Sequence, residues 1–353
     1  MTETSFTAEI RDQPAALSEL VARYRESGFL ERIGAAAAAL KSASRVIFTG
    51  MGTSLYVPYI VLRELQRQLS VSTEDAGEFL HFGMESIQGN ELVVAISQSG
   101  ESAETRKIVE RLQGRVRILS IVNDESSYMS QNSDLTLPIF AGKEASISNK
   151  TYTNTLALLL LLESGLNSEQ CEAELDRLEQ VADTMQAGLA ASQKQARLAA
   201  EFLQAPSTLY VIARGRDLVS ARQLALIAKE GSGLFAEALS AGLFRHGPIE
   251  LAGPNHNILF LVSEGNRPEL TENLAREVRE LGSRVVVVSE QGRHDSREEN
   301  GILRLQLPSG ETTSRYFPIL CAPFLEYFVH EVAEMKGKEA GVFQHARKIT
   351  DRE

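Results

Sequence analysis

Twice along this chain, short runs of β-branched and other apolar residues alternate with helix-period stretches, and few folds satisfy such a pattern. In the first half, Arg45-Val-Ile-Phe-Thr49, Glu91-Leu-Val-Val-Ala-Ile96 and Val116-Arg-Ile-Leu-Ser-Ile-Val122 read as strands, with a weaker one at Leu135-Thr-Leu-Pro-Ile139. Strands separated by helices predict a parallel sheet with helices on both faces. The same grammar resumes at Thr208-Leu-Tyr-Val-Ile-Ala213, Asn257-Ile-Leu-Phe-Leu-Val262 and Ser283-Arg-Val-Val-Val-Val-Ser289. Ser263, at the end of Leu259-Phe-Leu-Val-Ser263, stands 166 residues after Ser97, at the end of Val93-Val-Ala-Ile-Ser97. A turn and a charged helix follow each of them, so a duplicated α/β unit is the simplest account.

Before Arg45, two helical stretches (Pro14 to Arg23 and Phe29 to Leu40) read as a lead-in, and amphipathic helices fill most of 165–204. The expected organisation is therefore a lead-in over 1–44, a first domain over 45–165, a connector over 166–204, a second domain over 205–335 and a tail over 336–353. The longest apolar run, Leu156 to Leu162, is far short of the ~20 residues a spanning helix needs. The first residues lack the basic start and apolar core of a leader, and a cytoplasmic location is expected. A net charge of −11 over 353 residues argues against a nucleic-acid partner, which needs a basic face. Cys171 and Cys321 stand in separate helical patterns and read as structural thiols. The six histidines show no ligand spacing, so neither metal nor cofactor is expected; His256 and His294 read as loop residues.

In an open parallel sheet, ligands sit at the carboxyl ends of the strands, where loops present backbone N–H groups to an anion. Two first-half loops are placed there: Gly50-Met51-Gly52-Thr53-Ser54 and Ser97-Gln98-Ser99-Gly100-Glu101-Ser102. Their glycines permit close approach and their hydroxyls can donate. The corresponding second-half loop, Ser263-Glu-Gly-Asn-Arg-Pro-Glu-Leu270, has lost the hydroxyl cluster and gained an acid that would repel phosphate. One phosphate site per chain is the expectation.

Gly52-Thr53-Ser54, the Ser97–Ser102 loop and Ser146-Ile-Ser148-Asn-Lys150-Thr-Tyr resemble the sugar isomerase (SIS) domain, present twice. The likeness covers nearly the whole chain from Arg45 and is nearest to the isomerase half of glucosamine-6-phosphate synthase and its stand-alone relatives. The resemblance implies two tandem SIS domains, each a parallel five-stranded sheet flanked by helices, doubly wound and flavodoxin-like. It also implies that Gly52, Thr53, Ser54, Ser97, Gln98, Ser99, Ser102 and Ser148 bind a sugar phosphate.

The second half holds Lys229-Glu230 and, 16 residues after Glu230, His246 in Arg245-His-Gly-Pro248. A carboxylate and an imidazole suit proton transfer. The resemblance makes Glu230 the enolising base and His246 the ring-opening residue, given across the interface of a homodimer. It also places Lys348, in Gln344-His-Ala-Arg-Lys348, over the open-chain sugar. Two departures stand out: Ile227 occupies the position of a second catalytic lysine of the synthase, and no counterpart of its glutaminase half is seen. C–N bond cleavage on a ketose or amino-sugar 6-phosphate, by a deglycase or deaminase, is therefore preferred. Aldose–ketose isomerisation comes second, and a non-catalytic sugar-phosphate sensor third. Substrate choice is expected to rest on 75–89, on 293–301 and on the subunit interface.

Overall fold

The computed structural model describes residues 4–167, 170–290, 297–308, 314–343 and 345, and the chain gathers into two compact units. One is built mainly of Ala15–Glu144 and Lys150–Glu179. Its strands β1 (Val46–Gly50), β2 (Val71–Asp75), β3 (Leu92–Ile96), β4 (Arg117–Val122) and β5 (Leu135–Pro138) form a parallel sheet in the order β2-β1-β3-β4-β5. β1 and β3 are buried along their whole length, which is why each reads as an unbroken apolar run. β2 is an edge strand, half-buried after Val71. Its Val-Ser-Thr-Glu-Asp needs no such run, and the sequence pattern showed no strand there. Ile108, Val109 and Leu112 turn the Ala103–Leu112 helix onto the sheet, each worth about 1.5–3 kcal/mol over exposure. The Leu156–Leu162 run lies within the buried Lys150–Ser164 helix, and no described helix is long and apolar enough to cross a membrane.

The second unit takes in Met1–Pro14, Ala145–Asn149 and Gln180–Gln344. Its strands are β6 (Thr208–Ala213), β7 (Phe235–Ser240), β8 (Asn257–Val262), β9 (Arg284–Glu290), β10 (Arg297–Glu299) and β11 (Ile302–Leu307). The order β7-β6-β8-β9-β11 repeats that of the first sheet. The expectation of five strands holds for the first sheet and is corrected for the second, where β10 adds an antiparallel sixth beside β11. The cause is Asn300-Gly301, whose φ of +53° and +75° suit a two-residue hairpin turn.

The lead-in helices run Ser5–Arg25 and Ser27–Ser42; the first begins well before Pro14 because Phe6 and Ile10 are core residues. Most of the expected connector is one helix, Cys171–Phe202. Both cysteines are buried free thiols.

The Leu218–Ser232 helix lies close to the Phe317–Met335 helix, and Gly231 permits the approach. A Cβ there would stand 2.6 Å from Val329 Cγ1 and 2.9 Å from Ile147 Cδ1. Gly231→Val is expected to cost about 1–3 kcal/mol by overpacking, read as a lowered midpoint in denaturant unfolding.

Candidate functional site

From β1 the chain leaves toward edge strand β2, and from β3 it leaves the opposite way toward β4. Such a reversal opens a crevice at the carboxyl ends of the two strands. Gly50 closes β1 there: a Cβ on it would meet Ser54 Cβ at 2.7 Å and the Ile96 carbonyl at 2.9 Å. The glycine lets the Thr53-Ser54 turn fold back beside the end of β3. Gly52, at φ +54° and ψ −124°, holds a conformation open to glycine and starts the Thr53–Tyr56 helical turn.

The Ser97–Ser102 loop is pinned from both sides. Ser97 is buried, and its Oγ lies 3.2 Å from Ser102 Oγ while accepting from the Gly100 N–H at 3.2 Å. Ser99 Oγ accepts from the Glu101 N–H at 3.2 Å. Backbone bonds from Asn123 to the Gln98 carbonyl and from Met129 to the Gly100 carbonyl fasten the loop to its neighbour. Gly100 sits at φ +66°, and a Cβ would come within 2.1 Å of Ser127 Oγ. At the helix N-cap, Ser102 makes no side-chain bond to the first turn, so its hydroxyl serves the loop. An acid in a phosphate loop looks unfavourable, but Glu101 is engaged elsewhere. Its Oε1 accepts from the Tyr128 N–H at 2.6 Å, and Oε2 lies 3.5 Å from Arg106, which covers the Tyr128 ring.

Gly52, Thr53, Ser54, Ser97, Gln98, Ser99 and Ser102 are therefore brought to one crevice of one unit. Ser148 belongs to the other, where its carbonyl accepts from Gln223 Nε2 at 3.1 Å. Gln223 lies on the Leu218–Ser232 helix, which also carries Glu230, an exposed residue of its last turn. That helix returns from the carboxyl end of β6 to the start of β7, and Lys229 Nζ bonds the Ala236 carbonyl at 3.0 Å. His246 follows β7 at its carboxyl end, just beyond the Ala241–Arg245 helix that Ser240 caps, and is exposed. The length of β7, about 17 Å at ~3.3 Å per residue, separates the two ends. Ile227 is buried in the apolar core, so this position contributes packing and no proton relay. Lys348 lies outside the described residues.

The second half repeats the crevice and fills it with its own side chains. Gly215 has φ +55°, matching Gly52, and Asp217 thereby stands where Ser54 does. The turn bond from the Gly100 N–H to the Ser97 carbonyl, 3.2 Å, recurs from Asn266 to Ser263 at 3.2 Å. Asp217, fully buried, accepts from the Ser263 N–H at 2.9 Å and from its hydroxyl at 2.8 Å. Glu290 accepts from the Glu264 N–H at 2.6 Å. Glu264, the acid expected to repel a phosphate, is exposed in that loop, and Asp217 and Glu290 are further carboxylates that take the loop's donors. Their sequence contexts, Arg-Gly-Arg-Asp and the end of a valine strand, gave no sign of it. A separate polar cleft of about 650 Å³ at the amino ends of β3 and β4 is lined by Asn90, Glu91, Arg115, Arg117 and Asp134. Glu91 and Asp134 are there bonded to backbone N–H groups.

Fold and site together define a duplicated α/β protein of two mainly parallel sheets, in which glycines and hydroxyls gather at the β1–β3 crevice and Asp217 takes the donors of the corresponding second-half loop. The SIS domain model matches residues 39–163 and 201–319, and the chain belongs to the SIS domain family. It is 30% identical over 340 residues to a glutamine–fructose-6-phosphate aminotransferase (isomerizing) of Aeropyrum pernix, covering 93% of this chain and 54% of that one. The chain thus spans about half the length of the curated relatives it matches. The C-terminal domain of glucosamine-fructose-6-phosphate aminotransferase from Francisella tularensis shares the fold at TM-score 0.83 and 21% identity, covering 96% of this chain and 98% of that one. Tagatose-6-phosphate ketose/aldose isomerase from Escherichia coli does so at 0.80 and 20%, covering 97% and 96%.

Burial raises Asp217 to about 6, against bonds from Ser263 and Asn266 and the Arg216 charge. Burial also raises Glu290 to about 7, with the charges of Asp217 and Glu264 adding to it and the Glu264 N–H opposing. A raised folded-state value means stability that is fully present below the unfolded carboxylate range and lost as pH rises through the folded value. The stability of the wild type relative to Glu290→Gln should therefore fall as pH rises from about 4.5 to about 7, and relative to Asp217→Asn from about 4 to about 6. Urea unfolding at a series of pH values measures both; a difference independent of pH contradicts the assignment.

Proposed function

We propose that this chain is an enzyme that binds a ketose or amino-sugar 6-phosphate and cleaves a C–N bond in it, as a deglycase or deaminase. The observation that carries the reading is the pinned Ser97–Ser102 loop, open at the β1–β3 crevice, where its counterpart in the second half is filled by Asp217. Hydroxyls and backbone N–H groups hold a phosphate without a lysine or metal.

In this reading Glu230 takes the proton from the aminated carbon, which stands beside the open-chain carbonyl, and reprotonation at the carbonyl carbon leaves an imine open to water. His246 handles the ring oxygen and the proton delivered to the departing nitrogen, and water replaces the amine. Lys348 meets the open-chain sugar. The strand's length between Glu230 and His246 within one chain supports a homodimer in which each copy lends its His246 to the other's site. The apolar setting of Ile227 favours this chemistry over the synthase's isomerisation, since a relay lysine has no counterpart there.

The reading predicts separable variants. Ser99→Ala should weaken sugar-phosphate binding about tenfold or more, as expected for loss of a bond to a charged group. Glu230→Gln should abolish turnover and leave binding largely intact. Fructose 6-phosphate, glucosamine 6-phosphate and phosphorylated fructosamine adducts, followed by mass spectrometry, supply the test. Released amine supports C–N cleavage. Sugar-phosphate interconversion without amine makes the chain an isomerase, and binding without turnover makes it a sensor. Full activity in Glu230→Gln would remove the proposed base.

A further inference from the structure

Ser148 lies in a five-residue segment, Ala145–Asn149, that clusters with the second unit although Glu144 and Lys150 on either side of it cluster with the first. Something must fix so short a segment. Glu9, on the Ser5–Arg25 helix, is buried, and its carboxylate takes hold of both ends. One oxygen accepts from the Ala145 N–H at 2.5 Å and the other from Asn149 Nδ2 at 3.3 Å. Between these anchors the Ser148 carbonyl accepts from Gln223 on the helix of Glu230, and Ile147 fills the core beside Gly231. Gly341, at φ +92°, comes against Ser146 and Phe6. One turn beyond Glu9, Gln13 Nε2 bonds the buried carboxylate of Glu326 on the Phe317–Met335 helix, so the helix that carries the clamp is itself tied to the core.

A buried carboxylate costs stability unless both oxygens find donors. An aspartate or glutamate on a helix is ordinarily solvated; Glu9 is not, and its partners lie 136 and 140 residues away in sequence. We infer that Glu9 is a positioning residue for Ser148: it clamps the two ends of Ala145–Asn149 so that the Ser148 hydroxyl is held in fixed relation to the helix of Glu230. The inference rests on the phosphosugar reading, because the contact of Ser148 with the sugar phosphate is what gives the clamp a function.

The test is a double-mutant cycle in the full chain, with fructose 6-phosphate affinity read by calorimetry and amide exchange read over the segment. Glu9→Ala should weaken binding by about the factor that Ser148→Ala does, on the order of tenfold. The double variant should bind no more weakly than Ser148→Ala, since the two act through one contact. Glu9→Gln keeps one acceptor oxygen and should recover part of the loss; it also serves should Glu9→Ala fail to fold. Exchange should rise over Ala145–Asn149 in either Glu9 variant. Unchanged exchange there, wild-type affinity in the Glu9 variants, or losses that simply add to those of Ser148→Ala would each overturn the clamp. Wild-type affinity in Ser99→Ala would instead overturn the phosphate-loop reading, leaving the clamp to stand or fall on its coupling to Ser148.

Discussion

The divergence of the chain at β1 and β3 is the constraint on which the rest depends. Two neighbouring parallel strands that send their connections to opposite sides leave a gap at their carboxyl ends, and no side chain need be spent on making it. What the sequence adds is economy of backbone. Gly50 and Gly52 bring one loop close, Gly100 turns the other, and a set of hydroxyls is left around the opening. The pinning of the second loop by the Asn123 and Met129 N–H groups matters as much as the hydroxyls, because donors held in place lose little freedom when an anion arrives.

Duplication gives an internal control on that idea. The second sheet has the same strand order, the same positive-φ glycine and the same turn bond, yet Asp217 delivers a carboxylate to the donors of Ser263. A carboxylate bonded by N–H and O–H groups is the chain's own substitute for an external anion. The backbone thus repeats the same turn in both halves, and the side chains differ at one position: Ser54 in the first, and in the second Asp217, which bonds the neighbouring loop. The second half has instead taken on the helix of Glu230 and the segment of Ser148.

Much of this was legible in the residues, and the boundary of legibility has physical causes. β1, β3, β8 and β9 are covered on both faces and declare themselves as apolar runs; β2, β7 and β10 lie at sheet edges, where half the side chains meet water and the pattern fades. Ser97 to Ser102 was readable because a second loop rich in glycine and hydroxyls, Gly50 to Ser54, ends another strand of the same sheet, whereas one such loop alone reads equally well as a turn with a helix cap. Asp217 and Glu9 were not. Each looks like a solvated charge in sequence, and each acquires its meaning from a partner far along the chain, Ser263 in one case and Ala145 with Asn149 in the other. The placement of Glu230 and His246 toward opposite ends of the one strand β7 likewise follows from topology, not from their short spacing.

The central claim is that the first-half loop recognises the phosphate of a sugar phosphate. Calorimetric titration of the chain with fructose 6-phosphate and, in parallel, with fructose tests it most directly. The account predicts saturable binding of the phosphorylated sugar at one site per chain and no measurable heat from the unphosphorylated one; equal affinity for the two would contradict it.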